Sequence, residues 1–350
     1  MRSCPAIAGM LKAGQGLSTQ AFRRAPRFEG SPAVPDLPPH SRVDPAPPPA
    51  AGGPVASHAD GILFMTLAAI LVPAMDATAK HLGQTIPPLE VSLSRFVFQG
   101  IFAVSVALVL GRRIELFPPR FALHALRGFC IAIATLFFFS AVKVMPIADA
   151  IAVFFVEPMI LTMLSALFLG EAVGPRRWAA VAVGFAGALC VIRPGAGLFG
   201  LAGLLPLGTA TFVSVYLLLT RSLGRTAPAL SMMITSAMSG SLLLGLALAA
   251  TTVLGVSGAV FAVPNGIELV QMAAIGGIAF VSHFLVVLAF SRVPAVVLAP
   301  LSYLEIVAAT ALGYVIFGDL PDLMTWLGIA LIVGSGLYIA HRERAVAARG

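Results

Sequence analysis

The chain has 350 residues, of which 59% are hydrophobic and 11% charged, and its mean hydropathy is +0.97. A soluble domain carries roughly 25% charged residues, so this chain cannot cover itself with polar surface and reads as a polytopic membrane protein. The net charge of +7 does not indicate nucleic acid, because the basic residues are scattered between apolar runs, and Cys4, Cys130 and Cys190 have no spacing that suits a disulfide framework or a metal site.

The first 60 residues are proline-rich, as in DLPPHSRVDPAPPPAAGGP, and lack the apolar core of a signal peptide. They are expected to form a disordered cytoplasmic tail, or to reflect a start codon placed too far upstream. From Gly61 the apolar runs follow one another with short breaks. A span needs roughly 20 residues. Ten are predicted: 62–80, 89–110, 121–141, 148–168, 176–193, 199–220, 229–250, 268–290, 295–316 and 322–340. Arginines dominate alternate connections (Arg112, Arg113, Arg120, Arg176, Arg177, Arg221), while the other side holds Lys80, Lys143 and Arg193. The bias places both termini in the cytoplasm, with 343–350 as a short tail.

A shift of 148 residues lays Pro146 on Pro294, Glu157 on Glu305, Gly170 on Gly318, Glu171 on Asp319 and Trp178 on Trp326. The matches fall on residues that are rare in apolar sequence. The chain therefore divides into halves of five spans, 61–195 and 198–342. Five is odd, so the second half enters the membrane from the opposite face. The predicted fold class is an all-α polytopic membrane protein of ten transmembrane helices in two inverted five-helix repeats.

The stretches PMILTMLSALFLGEAVGPRRWAAVAVGFAGALCVI (158–192) and IVAATALGYVIFGDLPDLMTWLGIALIVGSGLYI (306–339) carry a resemblance. They are similar to the fourth and fifth helices of each repeat in the EamA branch of the drug/metabolite transporter superfamily. The resemblance covers everything after the tail. It implies a ten-helix inner-membrane carrier working by alternating access, with relatives that move amino acids, vitamins, nucleotide-like cofactors or metallophores, often outward. The second copy departs from the first in having Asp319 for Glu171 and no proline after Glu305.

Charges inside spans are the candidate site. A charged side chain at the centre of a lone membrane helix costs roughly 2.5–3.5 kcal/mol. Glu157 and Glu305 are expected to line a central cavity from opposite sides, binding an amine or exchanging protons. The alternative is a protonated carboxyl bonded across helices. Pro158 should kink its span and free a carbonyl near residue 154. Asp76 and Lys80, four apart, are expected to pair. Arg95, with Gln99 one turn on, needs a partner, and Asp76 or Glu157 would serve; otherwise Lys80, Glu90 and Arg95 snorkel to the interface. His283 is mid-span and would either titrate or bond to a neighbour. Tyr216, Tyr303, Phe154 and Phe155 would stack on a planar substrate or simply pack. Asp149, Glu171 and Asp319 read as helix caps or interfacial partners of arginine. Trp178 and Trp326 read as interfacial anchors, and Gly184, Gly187, Gly334 and Gly336 as sites of close helix packing.

There is no Walker loop, no nucleophile elbow and no His/Cys/Asp cluster, so the chain is not expected to be an enzyme, to carry a cofactor or metal, or to bind nucleic acid. The expected function is a secondary transporter of the bacterial inner membrane, acting as monomer or homodimer in the lipid bilayer. It would move a small amphoteric, amino-acid-like metabolite outward, coupled to protons. Its alternatives are import of a vitamin or cofactor such as riboflavin or S-adenosylmethionine, a lipid-acting membrane enzyme, and a non-transporting scaffold.

Overall fold

The computed structural model describes residues 58–112, 114–170, 173–193, 200–223, 228–293 and 295–347. The expectations for residues 1–57 and for Glu171 lie outside them. The first helix already begins at His58, two residues before the predicted end of the tail at residue 60.

Inside a bilayer no water satisfies the backbone, so each apolar run must close its own hydrogen bonds as a helix. Twelve α-helices result among the described residues: α1 (His58–Leu82), α2 (Pro88–Val109), α3 (Phe121–Val142), α4 (Ile147–Phe154), α5 (Glu157–Leu169), α6 (Pro175–Ile192), α7 (Leu205–Leu223), α8 (Ala229–Val253), α9 (Gly266–Arg292), α10 (Ala295–Ser302), α11 (Leu304–Leu312) and α12 (Leu323–Ala347). They make ten membrane-length spans, because α4 and α5 form one span and α10, α11 and a short π-helix, Gly313–Phe317, continue through another. All ten predicted spans are present, shifted by a few residues at their ends.

Local chemistry sets the ends. Prolines precede or open α2, α4, α6 and α8, where their missing N–H costs nothing. Asn265 and Glu268 form a capping box at α9: the Asn265 side chain accepts from the N–H of Ile267 and Glu268 at 2.9 Å, and Glu268 accepts from Asn265 N at 2.8 Å. The matched glycines Gly170 and Gly318 end their helices at φ 67° and 74°, a left-handed cap that only glycine adopts without strain.

The packing is two-fold. α1 lies against α9 as α7 lies against α3; α2 meets α9 as α8 meets α3; α5 meets α7 as α11 meets α1. The remaining main contacts, α2 with α8 and α6 with α12, pair each element with its own counterpart. This is the contact set an inverted repeat requires. At the α6–α12 crossing, a Cβ on Gly187 would lie 2.9 Å from the Gly328 carbonyl, and one on Gly328 would lie 2.7 Å from the Gly187 carbonyl. The close approach therefore involves Gly328, which the sequence reading did not select, whereas Gly334 faces open space. Trp178 and Trp326 are exposed near the starts of α6 and α12, where an interfacial ring belongs.

Both halves break the same span. In the first, the helix stops after Phe154 and restarts at Glu157, because Pro158 cannot donate a helical bond. In the second, α10 stops at Ser302 and α11 restarts at Leu304 without any proline after Glu305. Pro300 in the preceding turn accompanies that break. The departure between the copies thus lies in where the proline sits, and both spans are interrupted.

Candidate functional site

Two adjoining cavities lie within the bundle and share Arg95 and Ile131. The first, here the carboxylate cavity, encloses about 470 Å³ of space outside the protein atoms, its open mouth included. Asp76 of α1 and Glu305 of α11 stand on its wall with Arg95 of α2. Phe138, Phe139 and Phe154 line it together with Thr135 and Thr209. Asp76 is 2% and Arg95 5% exposed, and Asp76 lies within electrostatic reach of both Arg95 and Glu305. Arg95 donates through Nη1 to Thr135 Oγ1 at 2.6 Å, while its Nε has no hydrogen-bond partner. Arg95 thus lies near a neutral hydroxyl and the Asp76 carboxylate, with its Nε left for a ligand.

The second, the arginine cavity, holds about 640 Å³ and reaches the first turn of α8. Arg127 of α3, Gln99 of α2, Tyr216 and Thr220 of α7, Met232 and Ser236 of α8 and His283 of α9 line it, with Arg95 at the shared wall. Asp76 lies six residues, about 9 Å, from the Leu82 end of α1, and Arg127 lies six residues from the opposite end of the bundle, at Phe121. The two cavities are stacked along the spans.

The structure sorts the predicted site residues accordingly. Asp76, Glu305, Arg95 and Phe154 meet in the carboxylate cavity; Tyr216 and His283 join Arg95 in the arginine cavity. Glu157 and Tyr303 line neither. Glu157 Oε1 has no hydrogen-bond partner, its backbone carbonyl accepts from Ser214 Oγ at 3.0 Å, and the Tyr303 ring packs on Phe155 with centroids 4.9 Å apart. The two glutamates therefore do not face each other across one space, because the broken spans point equivalent residues into different surroundings. At the first break the Glu157 carbonyl is engaged by Ser214, a contact separate from the carbonyl near residue 154 that Pro158 leaves without a helical donor. His283 Nδ1 donates to Ala279 O at 2.9 Å, one turn back on its own helix.

Several expected pairings are replaced. Lys80 does not pair with Asp76. It donates to Asp319 at 2.6 Å and to the Met145 carbonyl at 3.2 Å, with the Phe317 ring 4.7 Å away. Asp319 therefore answers a lysine across the two halves, not an arginine. Glu90 does not snorkel: it is 4% exposed and accepts the N–H of Ala262 at 2.9 Å. Asp322, not Asp319, caps α12 by accepting from Thr325 N at 2.9 Å, and it also pairs with Arg193. That pairing and the cap hold the Asp322 carboxyl well below the usual carboxylate range. Asp149 makes no capping bond; it is buried beside these ion pairs with Oδ1 unpartnered. Arg127 escaped the sequence reading altogether. Its signal was the HALR run of a span counted only for length.

Ten apolar spans in two inverted halves around charged inner cavities define a multi-pass membrane carrier. The EamA-like transporter family matches residues 59–193. A riboflavin transporter of Rhizobium johnstonii is 30% identical over 292 residues, covering 81% of this chain and 91% of that one. An S-adenosylmethionine uptake transporter of Rickettsia felis is 26% identical, covering 84% and 96%. A solved crystal structure with 24% identity covers 81% of this chain and 98% of its own, with a TM-score of 0.56, and shares the fold. The chain belongs to the EamA-like transporter family. It is a small-molecule transporter of the bacterial inner membrane, not an enzyme.

Proposed function

We propose that the protein is a secondary transporter for an amphoteric metabolite bearing an amino-acid-like head and a planar group, and that the carboxylate cavity holds it. One observation carries this reading: Arg95 stands with Asp76 and Glu305 in a space otherwise walled by Phe138, Phe139 and Phe154. The guanidinium suits a carboxylate, the acids suit an ammonium or other cation, and the rings suit a flat group. S-adenosylmethionine, for which relatives are named, combines all three. Those names support inward movement in place of the outward direction expected from the resemblance. Glu305 is the group proposed to exchange a proton, since it shares the cavity with the substrate's cation.

Transport proceeds by alternating access between the two ends, with the Lys80–Asp319 and Arg193–Asp322 pairs closing one of them. The arginine-rich opposite end is cytoplasmic, and both termini lie on that side. One chain supplies every wall of the cavity, which supports a monomer as the working unit.

A second reading, riboflavin, is favoured by the aromatic wall and by the relative at 30% identity. The test is uptake of labelled S-adenosylmethionine and riboflavin into proteoliposomes under an imposed pH gradient, wild type beside Glu305→Gln and Arg95→Gln. Accumulation of S-adenosylmethionine that loses its pH-driven part in Glu305→Gln is the expected result. Riboflavin flux alone selects the second reading. Flux of neither through folded protein removes both.

A further inference from the structure

We propose that the arginine cavity is a binding station for an oxyanion, a carboxylate or phosphate group, with Arg127 as its main ligand. The cavity is unlike its neighbour in sign. Among the described residues its lining includes two guanidiniums and no carboxylate. Arg127 is 2% exposed, deep in the third span, where an uncompensated charge is expensive. Lys80 and Arg193, toward the opposite end and less buried, are met by the acids Asp319 and Asp322. Among the described residues Arg127 has only neutral acceptors: the Met232 carbonyl at 2.7 Å, Ser236 Oγ at 2.9 Å, and Tyr216 Oη and Thr220 Oγ1 at 3.4 and 3.5 Å. The last two are at the limit of a hydrogen bond, and Nε has no partner. His124, one turn before it, adds no negative charge.

The surroundings complete an anion site. Arg95 Nε and Gln99 Oε1 are likewise buried without a hydrogen-bond partner on the same lining. Gln99 can turn its amide to present N–H groups. His283 lies within electrostatic reach of both arginines and donates nothing into the cavity through Nδ1, which is engaged with Ala279. Two buried guanidiniums on one lining, each with its Nε unpartnered, suit the paired oxygens of a carboxylate or phosphate better than a spherical halide. The stacking of the cavities gives the station a place on the path: an anionic group held by Arg95 in one cavity can pass to Arg127 in the next without losing a cationic partner.

The experiment uses the full chain in phosphatidylcholine nanodiscs. Sodium phosphate and sodium acetate are titrated against sodium chloride of equal ionic strength, with melting temperature and calorimetric binding as readouts. Wild type is expected to bind phosphate or acetate saturably and to gain thermal stability, with no matching effect of chloride. Arg127→Gln should weaken that binding by about ten- to a hundredfold. Met232→Glu places a carboxylate on the same lining and should abolish binding while keeping Arg127, so the test survives if Arg127→Gln does not fold. Gly334→Ala, which faces open space and lines neither cavity, should bind like wild type. Absence of saturable oxyanion binding in wild type, or equal binding in Met232→Glu, overturns the proposal. S-adenosylmethionine beside its decarboxylated form separates the sources: a deficit of the decarboxylated form that vanishes in Arg127→Gln assigns the station to the substrate's own carboxylate, and equal binding assigns it to a free anion. If S-adenosylmethionine does not bind at all, the substrate reading fails while the phosphate arm still decides the station.

Discussion

Removing the carboxylate of Asp319 should open the end of the transporter that Lys80 closes. Lys80 Nζ lies 2.6 Å from Asp319, with the side chains 12% and 30% exposed. Breaking a fully buried pair costs about 3–5 kcal/mol and breaking an exposed one under about 1 kcal/mol. This pair lies between those limits, and Lys80 keeps the Met145 carbonyl and the Phe317 ring, so Asp319→Asn should cost about 1.5 kcal/mol. The pair ties α1 to the segment between the π-helix and α12, so that energy belongs to the closed arrangement. Its loss should shift the balance about tenfold toward opening. The assay is labelling of Thr209→Cys, on the wall of the carboxylate cavity, by a membrane-impermeant maleimide in a background with Cys4, Cys130 and Cys190 replaced. The rate from the Lys80 side should rise about tenfold in Asp319→Asn and return toward wild type in the exchange Lys80→Asp with Asp319→Lys. A rate unchanged within about twofold, or an exchange that restores nothing, would refute the gating argument.

Three further outcomes follow from the packing and the ion pairs. Gly328→Ala forces a methyl against the Gly187 carbonyl and should cost about 1–3 kcal/mol in detergent thermal denaturation, whereas Gly334→Ala, facing open space, should change it by less than about 0.5 kcal/mol. Pro158→Ala restores a backbone donor at the break between α4 and α5, so transport turnover should fall while thermal stability holds or rises; unchanged turnover would make the break incidental. The Asp322 carboxyl is depressed in the folded protein, so its pairing with Arg193 stabilises fully above the unfolded value near about 3.9 and is lost only as pH falls through the folded one. The melting-temperature gap between wild type and Asp322→Asn should therefore stay constant from about pH 8 to 5 and shrink below about pH 4.

Within the site, legibility followed the cost of burying charge. Asp76, Arg95 and Glu305 were visible because an ionisable group well inside an apolar run must face the interior. Glu157 was visible for the same reason, but its surroundings were not, since a broken span leaves its two pieces free to point differently. Arg127 was overlooked because the third span was counted for length and its arginine was weighed neither as a topology signal nor as a site residue. Lys80 was given the wrong partner: Asp76 is four residues away on the same helix, and the residue it meets is 239 positions distant.

The sequence alone determined the ten spans, their order and the inverted repeat. These depend on local facts: apolar length against bilayer thickness, backbone bonds closed within each helix, and rare residues recurring at a fixed shift. Tertiary structure alone decided which buried charges meet, that Gly187 opposes Gly328, and that the polar interior divides at Arg95 into two cavities, one lined by carboxylates and one without them. Those outcomes depend on helix rotation and crossing, which are set by packing between segments far apart in the chain and leave no mark on hydropathy.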